Sequence, residues 1–287
     1  MSKLSKEELD NLQKVSIEMA TYFVDFCNKH NLTCYLCGGG CIGTIRHKGM
    51  IPWDDDLDFF MPRDSYEKLY ELWDKENPRY ILEKPDANHI DHNLFITIRD
   101  ANTTLIKPYQ KDLDITHGVA LDIIPIDGYP DNKTQRKLQC FYALLYSLYC
   151  AQLVPENHGK KVAMAGKLAL ALVPSKKMRY KIWKFAEKQM TKYSIKDCTG
   201  ITELCSGPHY MRNWYPKEAF ETAVFKDFED RTMPIPVGYD AYLKIAFGDY
   251  MELPPVDKRV GHHDALFMDL DTSYTKYKGI YYLKKEK

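Results

Sequence analysis

One short acidic stretch restricts the fold of this chain more than any other feature. Asp56 and Asp58 alternate with the apolar residues Leu57 and Phe59. Successive side chains of a β-strand point to opposite faces, so we expect Asp56 and Asp58 to share one face while their apolar neighbours enter the core. Pro62 is expected to end this strand, because proline cannot donate to a strand ladder.

The two carboxylates predict a metal site. Side chains two apart on a strand are about 6 to 7 Å from each other, and Mg²⁺ or Mn²⁺ is the cation that such oxygen ligands suit best. Asp122 stands alone in an apolar run, where an unpaired carboxylate is costly to bury. We therefore expect Asp122 to be a third ligand, with a structural hydrogen bond as the alternative. Asp127, just before Gly128, is expected to be a turn residue.

A glycine-rich segment lies upstream of the acidic stretch. It contains Gly39, Gly40 and Gly43, and it is expected to form a turn whose backbone approaches a phosphate closely. Arg46 and His47 follow it. The planar guanidinium of arginine suits phosphate oxygens, so we expect both residues to contact phosphate, with simple solvent exposure as the alternative.

Taken together, these motifs resemble the LicD family of the nucleotidyltransferase superfold, to which the fukutin-related proteins are also related. The resemblance rests on residues 39–58, 121–128 and 242–255, and on Arg259 with the histidine pair that follows it. It implies an α/β or α+β fold, in which a small mixed sheet carries the three aspartates and a helical subdomain is added. The family usually has a hydroxyl residue where this chain has Gly40, so phosphate contacts at that position must come from backbone amides.

The resemblance also implies a reaction. LicD proteins transfer a phospho-alcohol, typically phosphocholine from CDP-choline, to a sugar hydroxyl of a teichoic acid, capsule or lipooligosaccharide, on an acceptor that is a glycan or a lipid-linked glycan. Asp56, Asp58 and Asp122 would hold one or two Mg²⁺ or Mn²⁺ ions on the diphosphate. A carboxylate would take the acceptor proton, with Asp122 as first choice and Asp54 as second. Arg259 and His263 are implied as further active-site residues.

Three alternatives remain open from the sequence. CDP-glycerol or CDP-ribitol could replace CDP-choline as the donor. Nucleotidyl transfer would use the same metals but release pyrophosphate. A non-catalytic glycan-binding protein is the alternative from a different class. Trp53, next to the acidic stretch, is a candidate for holding a choline group by cation–π attraction, although packing in the core explains this residue equally well.

Several other functions are disfavoured. Lys and Arg together number 40, as do Asp and Glu, so no overall positive charge attracts nucleic acid. Cys34 and Cys37 would fall on opposite faces of a strand and could not share a metal. The eight cysteines are expected to be free thiols in a reducing cytoplasm. His262 and His263 lack suitably spaced partners for zinc.

The chain begins with a predicted helix and no signal peptide, so we expect a cytoplasmic protein. Ser5 and Glu8 form a capping box for a helix from about Lys6 to His30. We expect one structural unit made of three parts, namely residues 1–130 with the first helix and the catalytic core, 131–200 with a helical insert, and 201–287 completing the active site.

The insert contains two apolar runs. These are Leu138 to Val154 and Val162 to Val173, and both fall short of the roughly 20 residues that cross a bilayer. We expect a buried helical hairpin. The alternative is peripheral attachment at the inner face of the plasma membrane, with lysines such as Lys160 and Lys161 facing anionic headgroups. A short helix is also expected from Ala241 to Phe247.

Overall fold

The computed structural model describes residues 4–75, 77–154, 159–261 and 265–284. The chain contains both helices and strands, partly in runs of one type, which gives the mixed α/β or α+β class that was predicted. The α-helices of the described residues are α1 (Lys6–Lys29), α2 (Gly38–Arg46), α3 (Arg63–Leu72), α4 (Lys133–Ala151), α5 (Lys160–Leu172), α6 (Lys176–Met190) and α7 (Tyr239–Phe247). The strands are β1 (Tyr35–Leu36), β2 (Asp58–Pro62), β3 (Tyr80–Glu83), β4 (Ile96–Asp100), β5 (Thr104–Ile106), β6 (Val119–Tyr129), β7 (Gly200–Thr202), β8 (Tyr215–Pro216), β9 (Ala223–Phe228), β10 (Arg231–Pro236) and β11 (Phe267–Asp269).

The chain packs as two compact units that are discontinuous in sequence. The first comprises Met1–Glu83, Thr97–Ile123 and Glu218–Lys287, and the second comprises Lys84–Ile96 and Ile124–Lys217. Strand β6 starts in the first unit and continues into the second. The three-part organisation by sequence position stays a prediction.

The first unit is built on a sheet with the strand order β1-β2-β6-β4-β3. Strand β1 runs antiparallel to β2, with Tyr35 opposite Phe60. Helix α1 covers this sheet, and the rings of Phe23 and Phe59 meet edge to face with their centroids 4.9 Å apart. Both rings are fully buried. The apolar residues that alternate with the aspartates therefore enter the core, as the pattern predicts.

Helix α1 confirms the predicted first helix. Ser5 and Glu8 form the capping box, and the helix ends at Lys29 with His30 as its cap. The short helix expected near the end of the chain is also present. It is α7, which begins two residues earlier than expected and ends before Gly248, whose φ of 70° terminates the helix.

Three local expectations were wrong. Strand β2 begins at Asp58, so Asp56 precedes the strand and does not share a strand face with Asp58. The glycine-rich segment is the first turn of α2, because the chain leaves β1, turns at Gly38 with a φ of 50° and continues as helix. Asp127 is buried inside β6 opposite Thr202 of β7, and is not a turn residue.

A hairpin of β9 and β10 fixes the segment between α2 and the acidic stretch. Glu229 lies at the hairpin turn with a φ of 54°. Its amide donates to the carbonyl of Lys48 over 2.7 Å, and one of its carboxylate oxygens accepts from the amide of Met50 over 3.0 Å. The hairpin therefore sets the path of the chain just before the acidic stretch.

The second unit contains the end of β6, which pairs with β7, and the helices α4, α5 and α6. Helix α4 packs mainly on α6. The buried residues of α6 are Trp183, Ala186 and Met190. The two apolar runs were expected to form a buried hairpin of two helices, and this was wrong for α5. Helix α4 packs on α6 instead, and α5 buries only Gly166 and Leu170.

The cysteines of the described residues are free thiols, as expected. None of the described helices combines the length and the apolar character needed to cross a bilayer.

Candidate active site

The acidic stretch is held in place by helix α1. Nε2 of Gln13 donates to the carbonyl oxygens of Ile51 over 3.1 Å and of Asp54 over 2.8 Å. The backbone before β2 therefore bonds to a helix side chain rather than to a neighbouring strand.

Three consecutive carboxylates crowd together at this position. Oxygens of Asp54, Asp55 and Asp56 lie within 4.8 Å of one another. Asp55 is buried, and a Cβ added at Gly261 would lie 2.6 Å from its Oδ2, so Asp55 faces the C-terminal segment. Asp54 and Asp56 are partly exposed. This cluster differs from the predicted ligand set, because two of its members are neighbours of Asp56 in sequence.

Asp58 begins β2 and carries a strongly perturbed carboxyl group. Desolvation by the surrounding protein raises its pKa well above the usual range, and the charges of Asp56 and Asp122 raise it further, while Lys107 acts in the opposite direction. The residues predicted as metal ligands are thus close enough for their charges to act on one another. Asp56 is the member of the three-carboxylate cluster that acts most strongly on Asp58.

Asp122 enters the site from β6. It lies between the buried residues Leu121 and Ile123, and its Oδ1 accepts a hydrogen bond of 2.9 Å from the hydroxyl of Thr97 on β4. The carboxylate is partly exposed while its strand neighbours face the core. Asp122 therefore has a structural hydrogen bond and still faces the carboxylates of the acidic stretch.

Lys107 is a site residue that sequence reasoning missed. Burial disfavours its ammonium, but Asp122, Tyr109 and Asp56 together outweigh that effect and raise the pKa of Lys107. It directly follows β5 and precedes a proline. The available signal was weak, because a single lysine after a three-residue strand is ordinary in any sequence. Thr97 and Gln13 were missed because a single threonine in a strand or a single glutamine in a helix is equally ordinary.

The start of α2 faces the acidic stretch. The first amides of a helix have no partner within the helix, and they carry the positive end of its dipole. Cys37 provides no side-chain cap, and the amide of Gly38 donates to the hydroxyl of Tyr242 over 3.0 Å. A Cβ at Gly39 would lie 2.0 Å from Oδ2 of Asp54. Gly39 therefore allows this helix end to approach Asp54.

Gly40 and Gly43 serve packing at this point of α2. A Cβ at Gly40 would meet the side chains of Leu36 at 3.0 Å and Leu57 at 3.2 Å. A Cβ at Gly43 would meet the backbone oxygen of Gly49 at 2.4 Å. The absent side chain at Gly43 thus lets α2 lie against the following loop.

Arg46 ends α2 and binds the chain beyond α7. Its Nη1 donates to the carbonyl oxygens of Tyr250 over 2.7 Å and of Glu252 over 3.2 Å. Desolvation and the nearby Arg259 lower the pKa of Arg46, and desolvation and Arg46 lower the pKa of His47. Both effects disfavour the charged form of the His47 imidazole.

Trp53 joins this group. The His47 ring stands edge-on to it with the centroids 6.0 Å apart, and the guanidinium carbon of Arg259 lies 5.5 Å from the Trp53 ring centroid. Nε of Arg259 also donates to the carbonyl of Pro254 over 2.8 Å. Four predicted site residues from two distant segments thus come together next to the acidic stretch. His263, the remaining predicted residue, lies outside the described residues.

The donor set fits a hard divalent cation. Asp56, Asp58 and Asp122 offer carboxylate oxygens, which Mg²⁺ and Mn²⁺ prefer over nitrogen or sulfur ligands. The pKa of Asp58 is raised first by burial and then by the charges of Asp56 and Asp122, so the ionised form of this carboxylate is disfavoured in the protein alone. A bound cation would stabilise the ionised form.

Comparison with known proteins identifies relatives. Residues 31–147 match the family described as LicD/FKTN/FKRP, nucleotidyltransferase domain. The chain is also 30% identical over 269 residues to the lipopolysaccharide cholinephosphotransferase LicD of Haemophilus influenzae. That alignment covers 91% of this chain and 97% of the relative, so the similarity extends through both of the units described above.

Proposed function

The chain belongs to the LicD family, and from that premise we propose that it is a phosphotransferase that moves phosphocholine from CDP-choline to a hydroxyl of a cell-surface glycan. The observation that carries this proposal is that Asp56 and Asp122, from two distant segments, both lie close enough to Asp58 and Lys107 for their charges to act on these two groups. Such an arrangement suits transfer from a diphosphate, whose negative charge requires a cation and fixed positive groups. The named relative supports the choline and glycan assignments.

Asp56, Asp58 and Asp122 would hold Mg²⁺ or Mn²⁺. The ion would neutralise charge that develops on the departing CMP. Lys107 would add a fixed positive charge beside the same oxygens, and Thr97 would keep Asp122 oriented. These protein groups are held before the donor arrives, so no reorganisation is needed at the moment of transfer.

The amino end of α2 would bind donor phosphate. Its amides and dipole favour an anion, and Gly39 permits close approach of the backbone at this point. Nη1 of Arg46 already donates to two backbone carbonyl groups. Arg46 therefore holds the chain after α7 in place, and a phosphate would be contacted by its remaining N–H groups.

Choline recognition would involve the ring of Trp53. Arg259 occupies one face of that ring, so a trimethylammonium group would use the opposite face, because the ring edge carries partial positive charge. A cation–π contact is worth about 0.5 to 2 kcal/mol. CDP-glycerol and CDP-ribitol lack the cation and would gain nothing from this ring.

The acceptor proton would be taken by a carboxylate. Asp122 already accepts from Thr97 and faces Lys107, which suits a fixed ligand more than a proton acceptor. Asp54 is partly exposed and lies beside the end of α2. We therefore propose Asp54 as the general base, which reverses the order of preference from the sequence.

The acceptor would be a lipooligosaccharide, teichoic acid or capsule precursor, and the enzyme would work in the cytoplasm. Nucleotidyl transfer is the second candidate, and its products differ. Phospho-alcohol transfer releases CMP from CDP-choline, whereas nucleotidyl transfer from CTP releases pyrophosphate.

The test is a product assay with purified protein, Mg²⁺, each CDP-alcohol or CTP, and a glycan acceptor. We expect CMP release with CDP-choline, and we expect Asp56→Asn and Asp58→Asn to lower turnover by at least a hundredfold. Asp112→Asn, at an exposed carboxylate paired with Lys111, is the matched control. Wild-type turnover in both site variants would remove the metal from the mechanism. Ligand binding without any product in every donor arm would favour a glycan-binding protein.

A further inference from the structure

Helix α5 turns an apolar stripe toward solvent. Met164, Leu168 and Leu172 are spaced by four residues and therefore lie on one helix face. Their exposed fractions are 70%, 60% and 73%. The two buried residues of α5, Gly166 and Leu170, lie on the opposite face. A water-facing helix normally shows the reverse pattern, with its polar face outward.

Helices α4 and α6 of the same unit also expose large apolar side chains. Phe141 on α4 is 53% exposed and Phe185 on α6 is 55% exposed. Both rings contact the ring of Tyr142, at centroid distances of 5.4 Å and 5.8 Å. Helix α5 is joined to α4 by a hydrogen bond of 3.1 Å from the hydroxyl of Tyr149 to the carbonyl of Ala169. Exposed apolar surface of this extent usually marks an interaction site.

The charge of these helices is strongly one-sided. Helices α4, α5 and α6 contain twelve Lys or Arg residues and one acidic residue, Glu187. The whole chain is balanced at 40 basic and 40 acidic residues. Lys160, Lys161 and Lys167 on α5 are exposed beside or at the start of its apolar stripe. Positive charge is thus concentrated on the helices that expose apolar side chains.

We propose that α5 docks reversibly on a bilayer that contains anionic lipids. Its outward apolar stripe would enter the region between headgroups and acyl chains, and the lysines would contact headgroup phosphates. The helix is about 20 Å long at 1.5 Å per residue, so it lies in the plane of the interface and does not cross it. A second copy of the chain is a poorer occupant, because two such positive faces repel. Nucleic acid offers no apolar surface for Leu168 and Leu172.

The test is flotation of the full chain with vesicles. We expect binding to vesicles of phosphatidylglycerol and phosphatidylcholine, at least tenfold weaker binding to phosphatidylcholine alone, and a further loss at high salt. The triple variant Met164→Glu, Leu168→Glu, Leu172→Glu should lose binding at least tenfold. The triple variant Lys160→Gln, Lys161→Gln, Lys167→Gln should lose the preference for anionic lipid. Ile280→Glu, at a 55% exposed position of the first unit, is the control and should bind as the wild type does.

All substituted side chains are largely exposed, so circular dichroism and Tm should match the wild type and loss of binding can be assigned to the surface. Wild-type binding by the glutamate variant would overturn the proposal. Absence of wild-type binding to anionic vesicles would also overturn it, as would a dimer in size-exclusion chromatography that the same glutamates dissociate. Variants that no longer bind vesicles should still release CMP when the acceptor is soluble. This assay distinguishes loss of membrane binding from failure of the proposed transferase activity.

Discussion

The hydroxyl of Thr97 donates a hydrogen bond of 2.9 Å to Oδ1 of Asp122. Thr97 is fully buried on β4, and Asp122 is partly exposed on β6. The bond therefore restricts the rotation of one carboxylate of the site from within the core. A hydrogen bond to a charged group contributes about 1.5 to 3 kcal/mol.

Removing this hydroxyl should reduce activity. Thr97→Val keeps the branched shape and removes the donor, so we expect kcat/KM to fall about 10- to 100-fold, at 1.4 kcal/mol per tenfold. Thr134→Val, at an exposed position at the start of α4, is the control. Steady-state CMP release measures the effect, and an unchanged kcat/KM in Thr97→Val would contradict the orienting role.

Replacing Lys107 should change metal binding and turnover in opposite directions. Lys107→Met removes a positive charge that faces Asp122 and Asp56, so Mn²⁺ should bind more tightly while turnover falls at least tenfold. Titration calorimetry and the CMP assay measure the two quantities. Lys111→Met, at an exposed lysine, is the control. Loss of both Mn²⁺ affinity and turnover in Lys107→Met would indicate that Lys107 has a structural role only.

Asp58 should make the metal-free protein less stable as pH rises. Its pKa is raised in the folded state, so the folded chain keeps a proton that the unfolded chain has already released. Stability is then lost between the ordinary carboxyl pKa, about 3.9, and the raised value. In EDTA, Asp58→Asn should have a higher Tm than wild type at pH 7 and a similar Tm at pH 3.5. A constant Tm difference across this range would refute the assignment.

Glu203 should give a second pH effect, in the other unit. Burial raises its pKa from 4.5 to about 7, even though it accepts a hydrogen bond from the hydroxyl of Tyr215. The folded protein therefore loses stability as pH rises from 4.5 to about 7. Glu203→Gln should be more stable than wild type at pH 8, with the difference shrinking toward pH 4. Glu218→Gln, at an exposed residue, should show no such trend in a Tm series.

Two glycines of α2 should respond differently to alanine. The new Cβ of Gly43→Ala meets a backbone oxygen at 2.4 Å, whereas that of Gly40→Ala meets leucine side chains at 3.0 Å and beyond. Overpacking of this kind costs about 1 to 3 kcal/mol. We expect urea denaturation to show a clear loss for Gly43→Ala and a smaller change for Gly40→Ala. Equal losses would mean that α2 shifts as a whole.

The sequence predicted the class of fold, the first helix and the alternation around β2, because each follows from short-range periodicity or capping. It did not predict that β2 starts at Asp58. The acidic stretch is held by Gln13, which lies 41 residues from Asp54, and no local pattern reveals such a bond. The first turn of α2 was mistaken for an open loop, because consecutive glycines favour turns unless tertiary packing fixes a helix.

The same limit applies to the site. Asp56, Asp58 and Asp122 could be named, because isolated carboxylates beside apolar residues are unusual. Lys107 and Thr97 could not, since their importance comes only from the strands that bring them to Asp122. The exposure of α5 was not the first expectation either, because a mostly apolar helix that is too short to cross a bilayer is ordinarily buried.

Helix α1 makes the recognisable part of the chain dependent on residues that precede it. The family match begins at residue 31, yet Gln13 fixes the acidic stretch and Phe23 fills the core against Phe59. A protein truncated just before residue 31 would retain every predicted catalytic aspartate. It would lose the hydrogen bonds from Gln13 and the packing of Phe23 that hold the acidic stretch and β2 in place. The segment that matches the family model therefore depends for its shape on a helix that lies outside the match.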